Sequence, residues 1–176
     1  MGQPDRREKI EKDLKERHQL QQLIELLKQT TITGVNANTF DEAVETTLLL
    51  VCRYLGWNIG HAYYTSPDIH GNRCPSLLPS KYWFLSHPDK YSSFKKITED
   101  SIFDDCIDLP GHVLATHQHQ WIPNISETNI MQERKEVALD CGIVSGFAFP
   151  IKVQDKIHAV LEFYSSEPID IEATLL

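Results

Sequence analysis

The chain has 176 residues, of which 41% are hydrophobic and 24% charged, values close to those of soluble globular domains. This composition disfavours a disordered chain or a membrane protein, and the length suits one domain with an additional element or two. The net charge of -8 disfavours nucleic acid as a partner, because binding to phosphates needs a basic surface. No segment approaches the roughly 20 apolar residues that cross a bilayer, and the polar start is unlike a signal peptide. We therefore expect a cytoplasmic protein without direct membrane contact.

Residues 6–29 predict a long helix, since they contain no Gly or Pro and are rich in helix formers. Apolar side chains recur in it at spacings of three and four residues, at Ile10, Leu14, Leu20, Leu23, Ile24 and Leu27. When this segment is written as heptads, the two seam positions that would face a partner helix are apolar in its second half, whereas charged residues interrupt them in its first half. Two interpretations stay open: the stripe pairs with a second copy in a parallel coiled coil, or it packs on this protein's own body.

A second helix is predicted from Thr39 to Leu55, with Thr39 and Glu42 as a capping box and Gly56 as the stop. The next part of the chain predicts strand 58–65, a turn-rich connection over 66–79, strand 81–86 and an irregular stretch over 88–110 with a short helix near 91–96. A short helix over 111–118, strand 120–122 and a helix over 131–141 follow. The last part predicts strands 145–153 and 156–164, joined by a turn at Gln154-Asp155, and the start of a helix at 168–176. This order predicts an α+β fold, an antiparallel sheet with helices on one face and a pocket-forming segment on the other.

The most specific motif lies in residues 109–125. The segment LPGHVLATHQHQWI, from Leu109 to Ile122, with Asn124-Ile125 after it, resembles the LPGRVWxxGxPxWIxDV segment of GAF domains from bacterial sensor proteins. The pattern of that family continues in Arg134, Ala138, Gly142-Ile143 and the final hairpin, FAFPI and VLEFYS. The resemblance covers about residues 38–176.

The resemblance implies a GAF domain over residues 34–176 whose last helix is truncated. Residues 5–17 are similar to the linker that leaves a PAS domain, which implies a linker helix within residues 1–33. The implied parent is a larger signalling protein, of the histidine kinase or diguanylate cyclase type.

The GAF resemblance also implies a ligand pocket, and three ligand classes of the family are compared with the residues. Covalent bilin attachment uses a Cys-His dipeptide, which the sequence lacks, and cyclic-nucleotide members carry N-K-x-x-F-x-x-x-D-E, which NISETNIMQERKE does not match. Members that reduce free methionine sulfoxide use paired reactive cysteines in loops. Cys74 and Cys106 lie in loop-like segments, but their contexts differ from that motif. Such a reductase, and a chromophore-binding, haem-binding or redox sensor, stay open as alternatives.

Catalysis by this chain is not predicted, because no nucleotide-hydrolase, serine-hydrolase or zinc-peptidase motif occurs. No metal is predicted either. The four cysteines form no C-x-x-C pair, and the nearest approach to a metal-binding group, His112, His117 and His119, has no carboxylate or Cys at ligand spacing.

Aromatic and His side chains between the sheet and the middle segment are the candidates for a ligand site, because small-molecule pockets are mostly apolar with a few polar anchors. These candidates are Tyr63, Trp83, His112, His117, Trp121 and Phe149. Core packing is the other interpretation of the alternating aromatic residues, and His61 has the same ambiguity.

These observations predict a sensory or regulatory domain that binds a small-molecule effector or relays a signal to an output domain. In this hypothesis the helix 6–29 forms a homodimer with its counterpart, and helices 39–55 and 168 onward pack on the same side of the sheet. Deletion of residues 1–29 is then expected to yield a monomer.

Overall fold

The computed structural model describes residues 36–66, 76–103 and 107–168, together with isolated positions between 14 and 34. The helix predicted at 6–29 lies largely outside the described residues, and so does the helix predicted after Pro168. Cys74 and Cys106 also fall outside them. Among the described helices, none combines the length and the apolar character that crossing a membrane requires.

Five strands form one antiparallel sheet in the spatial order β2-β1-β5-β4-β3. In chain order they are β1 (Ile59–Thr65), β2 (Leu77–Leu85), β3 (Gln120–Ile122), β4 (Ser145–Val153) and β5 (Lys156–Ser165). The β4–β5 turn has positive φ at both Gln154 and Asp155, 50° and 65°, as two-residue hairpin turns that follow the strand twist require. Strands β1, β3, β4 and β5 confirm the sequence prediction to within about one residue.

The edge strand β2 begins earlier than the sequence indicates. Leu77, Leu78 and Pro79 were predicted to belong to the turn-rich connection, but they pair with β1. A proline is tolerated here because β2 is an edge strand, where a missing N–H removes no interior hydrogen bond. The register between β1 and β2 shifts between His61 and Tyr63, close to this proline.

Helix α1 (Phe40–Leu55) confirms the prediction from local signals. The side chain of Thr39 accepts a hydrogen bond from the Glu42 N–H at 3.1 Å. In a capping box the Glu42 carboxylate would accept from the N–H of Thr39, the cap residue. Here it accepts from the N–H of Asn38, one residue earlier, at 2.9 Å. Gly56 ends the helix in the left-handed region, with φ 71°.

Three shorter helices lie on the opposite face of the sheet from α1: α2 (Ser92–Glu99), α3 (Asp108–Thr116) and α4 (Lys135–Asp140). Helix α3 starts three residues before the predicted Gly111. The helix predicted at 131–141 shortens to α4, because Met131 and Arg134 turn into the core from an irregular backbone. Tertiary packing therefore decides both boundaries.

The hydrophobic core has two parts, one on each face of the sheet. The part under α2–α4 includes Tyr63, Phe94, Phe103, Leu109, Val113, Ile122, Ile143 and Tyr164. The part under α1 includes Leu26, Val44, Leu48, Trp57, Leu161 and Phe163. The predicted α+β class and antiparallel sheet are confirmed, but helices cover both faces, α1 on one and α2–α4 on the other.

Candidate functional site

A fully buried arginine lies between the sheet and helices α2–α4. Arg134 precedes α4, and its side chain has no exposed surface. Nη1 donates to Oε1 of Glu162 at 2.9 Å and Nη2 to Oε2 at 2.9 Å, which makes a bidentate pair with β5. Nη2 also donates to Oδ1 of Asp108, at the start of α3, at 2.7 Å. One guanidinium thus meets two buried carboxylates.

Three hydroxyl groups complete the surroundings of the ion pair. Tyr63 and Tyr164 each accept from Arg134, at 3.0 and 2.9 Å, and donate to Glu162, at 2.7 and 2.8 Å. Thr98 of α2 accepts from Nη1 at 3.0 Å. We call the six residues Tyr63, Thr98, Asp108, Arg134, Glu162 and Tyr164 the Arg134 cluster.

Aromatic rings enclose the guanidinium. Its central carbon lies 4.8 Å from the ring centre of Phe103 and 5.1 Å from that of Phe94, within the range of a cation–π interaction. The charged groups are therefore shielded by apolar side chains of the same core. In such an environment electrostatic interactions are stronger than in water, and unpaired polar groups are costly.

The electrostatics of the cluster favour the charged forms of Arg134 and Glu162. Burial acts to raise the pKa of Glu162, but the charge of Arg134 and its hydrogen bonds outweigh burial and hold that pKa well below its usual range. Burial acts to lower the pKa of Arg134, but the charges of Asp108 and Glu162 outweigh burial and hold that pKa well above its usual value. Burial raises the pKa of Tyr63 and Tyr164, so both phenols keep their protons and remain donors.

His61 lies beside the cluster. Its Nε2 is 3.1 Å from the carbonyl oxygen of Ser80, and because a carbonyl only accepts, Nε2 carries the proton. Its Nδ1 is 3.5 Å from Oε1 of Glu162 and has no hydrogen-bond partner. Burial lowers the pKa of His61 in spite of Glu162, so the imidazole is neutral near pH 7.

Trp83 of β2 covers His61. The two rings stack with centres 3.8 Å apart, and the ammonium of Lys95, from α2, lies 5.5 Å from the indole ring centre. Within the described part of the chain, four buried side-chain atoms lack a hydrogen-bond partner: His61 Nδ1, Trp83 Nε1, Asp108 Oδ2 and Arg134 Nε. All four belong to the Arg134 cluster or to the adjacent His61–Trp83 stack. Among the described residues, the buried side-chain atoms without a hydrogen-bond partner are therefore confined to this core.

The backbone of Asp108 is also unusual. Its φ of 58° lies in the left-handed region, which non-glycine residues rarely adopt. Its Oδ1 accepts from the N–H of Leu109 at 2.8 Å as well as from Arg134. The ion pair thus helps to hold the first turn of α3 in place.

The structure separates the six residues predicted as one pocket. Tyr63 belongs to the Arg134 cluster and Trp83 stacks on the neighbouring His61. His112 is half-buried on α3, and His117 is exposed at the end of that helix.

Trp121 and Phe149 correct the expectation of one wall, because they lie with the α1 side of the core, near Trp57 and Phe163. Strand alternation indicates which residues share a face but not which face carries which helices. Ligand binding by any of the six stays a prediction.

Sequence reasoning missed most of the charged cluster. Arg134 entered only as part of the GAF pattern, and Asp108 and Glu162 were not candidates. One signal was available for Glu162: it is the only charged residue in the buried run 159–165 of β5. A single carboxylate in an apolar strand indicates a buried partner of opposite charge.

The described residues contain no group of three His, Cys, Asp or Glu side chains that could hold a metal ion. Cys52 and Cys141 are buried free thiols, and burial raises the pKa of Cys52 well above its usual range, which makes it unreactive.

The chain is similar in fold to several solved structures. No protein-family model and no curated protein matches the sequence. Among solved structures, a GAF domain from a phosphoenolpyruvate-protein phosphotransferase of Coxiella burnetii has a TM-score of 0.63 at 15% identity, over 88% of this chain and 84% of that one. The A. aeolicus nlh2 GAF domain, in an inactive state, has a TM-score of 0.59 at 17% identity, over 93% and 86%.

A third similar structure is the free methionine-R-sulfoxide reductase of Neisseria meningitidis in complex with its substrate. It has a TM-score of 0.60 at 11% identity, over 85% of this chain and 77% of that one. At such identities the likeness is one of fold. The five-stranded antiparallel sheet with its helices matches these structures, and the chain therefore has the fold of GAF domains.

Proposed function

We propose that this chain is a non-catalytic regulatory domain of a larger signalling protein, in which the Arg134 cluster changes state and the α1 side of the sheet transmits the change. The observation that carries the proposal is the number of elements joined by one side chain. Arg134 is hydrogen-bonded to residues of β1, β5, α2 and α3, and it directly precedes α4. Any change in its partners alters the packing of three helices together.

The physical cost of the cluster supports a specific role. Burying an ion pair removes its solvation, and apolar replacements of similar size are often equally stable or more so. Stability alone therefore gives little reason for this arrangement. The arrangement has a role if helices α2–α4 can pack in two ways and a ligand or a charge favours one of them. The largest change in the populations of the two packings is then set by the difference in the ligand's affinity for them.

The α1 side of the sheet supports transmission through the N-terminal helix. Trp121, Phe147 and Phe149 are only half-buried there, and Leu26, from the predicted helix 6–29, is buried against the same part of the core. A helix in contact with this aromatic surface would follow movements of the sheet. The proposal therefore includes a homodimer formed by that helix, whose geometry is passed to an output domain such as a histidine kinase.

Sedimentation analysis of the full chain tests this proposal. We expect a dimer, and a shift towards monomer when the heptad seam is broken by Leu20→Glu with Leu27→Glu. The matched control is His18→Glu with Gln21→Glu, which adds the same two negative charges at exposed positions of the same segment. A monomeric wild type, or a dimer that survives the seam variant, would refute the dimeric relay.

The free methionine sulfoxide reductase is the second candidate, favoured by one similar structure of that activity. Incubation of the chain with free methionine sulfoxide and dithiothreitol distinguishes the two functions. The regulatory proposal expects no methionine to form. Conversion that is abolished by Cys106→Ser or Cys74→Ser would establish the reductase instead.

A further inference from the structure

We propose that His61 is a proton-binding site that switches the Arg134 cluster between two hydrogen-bonding states. This inference names one effector for the proposed regulatory role and depends on that role only for its consequence outside the domain. Whether His61 takes up a proton and changes the cluster is a property of the isolated chain.

The charge balance of the core supports such a site. The cluster holds one guanidinium against two carboxylates, all fully buried, so with a neutral imidazole it carries one excess negative charge. An uncompensated charge is costly in a core of this kind. A proton taken from solvent by Nδ1 of His61 would balance it, with no other covalent bond formed or broken.

The geometry gives that proton a defined acceptor. Nδ1 is the unpartnered nitrogen of His61, and Oε1 of Glu162 lies 3.5 Å away, slightly beyond hydrogen-bond length. Oε1 already accepts from the Tyr63 hydroxyl at 2.7 Å and from Arg134 Nη1 at 2.9 Å. A charged N–H on His61 competes with these two donors, so the protonated state shifts Glu162 towards His61 and loosens its pair with Arg134.

The charged and titratable groups around His61 come from β1, β5, α2, α3 and the residue before α4. Glu162 of β5 favours the protonated ring, whereas Arg134, before α4, opposes it. Tyr63 of β1 meets the ring edge to face at 4.5 Å, and Lys95 of α2 lies beyond Trp83, paired with Glu99. Asp108 of α3 reaches the site through Arg134.

Burial makes this a switch for acid conditions. Because burial lowers the pKa of His61 from 6.5, the ring is neutral near pH 7 and takes up its proton only at lower pH. The charge of Glu162 favours this proton uptake, and burial and Arg134 oppose it.

Two measurements on the full chain, from pH 7.5 down to the onset of acid unfolding, test the inference. In NMR spectra, the His61 ring signals should titrate with a midpoint below 6.5, and the Nε–H signal of Arg134 should move with the same midpoint. Tryptophan fluorescence should fall in parallel, because a protonated imidazole quenches the indole on which it stacks.

The matched variants are His61→Gln, which removes the titrating group, and His158→Gln, which removes an exposed histidine of β5. We expect the fluorescence change to disappear in the first and persist in the second. Trp83→Phe removes the stacked indole, which both abolishes the change and identifies the His61 signals through their altered shifts.

If His61→Gln fails to fold, the NMR titration of the wild type decides alone. A His61 signal that stays constant down to the pH of unfolding would overturn the inference, as would a titration that leaves Arg134 unmoved. Neither result bears on the dimeric relay, which the seam variants test separately.

Discussion

At the scale of single residues, the main feature is a guanidinium whose partners come from distant parts of the chain. Arg134 pairs with Glu162 and Asp108 through direct hydrogen bonds, and none of the three side chains is appreciably exposed. Removing one member of a buried pair leaves the other charged and unpaired, which costs far more than the pair itself contributes.

Arg134→Met is therefore expected to destabilise the chain by about 3–5 kcal/mol, because Glu162 and Asp108 would lose the guanidinium that pairs with both. Urea unfolding followed by circular dichroism measures the loss. The control Arg53→Met, at an exposed position of α1, should leave stability within about 0.5 kcal/mol. A loss of similar size in both variants would contradict the role assigned to the cluster.

At the scale of elements, close approach between β4 and β5 positions the cluster. Gly146 of β4 pairs with Tyr164 of β5, and a Cβ on Gly146 would lie only 2.7 Å from the Tyr164 ring. The same ring carries the hydroxyl that bridges Arg134 and Glu162. The absence of a side chain at residue 146 is thus tied to the geometry of the site.

Gly146→Ala should displace the Tyr164 ring and destabilise the chain by about 1–3 kcal/mol, as overpacking of a core does. Urea unfolding measures this, and the changed hydrogen bond of Tyr164 should appear in its NMR signals. Gly34→Ala is the control, since a Cβ there meets no atom within 4 Å. Equal stability of Gly146→Ala and the wild type would mean that β4 and β5 adjust freely.

Element boundaries show where local signals suffice. The bounds of α1 follow from Thr39 and Gly56, whose capping geometry is contained in neighbouring residues. Pro79 indicated a turn, but it lies in β2, which accepts a missing N–H because it is an edge strand. The early start of α3 at Asp108 depends on the contact with Arg134, which no local pattern contains.

At the scale of the whole molecule, the sheet separates two regions of different character. One face carries the buried charges under α2–α4, and the other carries half-buried aromatic residues beside α1. Strand β5 contributes to both, with Glu162 towards the charged side and Phe163 towards the aromatic side. A change at Glu162 is therefore one residue away from the surface proposed to transmit it.

The stability of the whole chain should depend on pH through Glu162. Its pKa is lowered in the folded state, so it stabilises the fold above its unfolded value of 4.5, and this contribution is lost as pH falls. Between pH 4.5 and 3 the free energy of unfolding should drop more steeply for the wild type than for Glu162→Gln. Glu136→Gln, at an exposed site of α4, serves as control and should retain the wild-type slope.

The sequence by itself determined the α+β class, helix α1, the β4–β5 hairpin and the resemblance to GAF domains. Caps, alternation and two-residue turns act between neighbouring residues, so they can be read directly. Only the tertiary structure decided the site. Asp108 lies 26 residues before Arg134 in sequence, and Glu162 lies 28 residues after it. Their buried ion pairs become visible only when the sheet and helices bring the three side chains together. Likewise, alternation placed Trp121 and Phe149 on a face, but the packing of α1 determined which face it was.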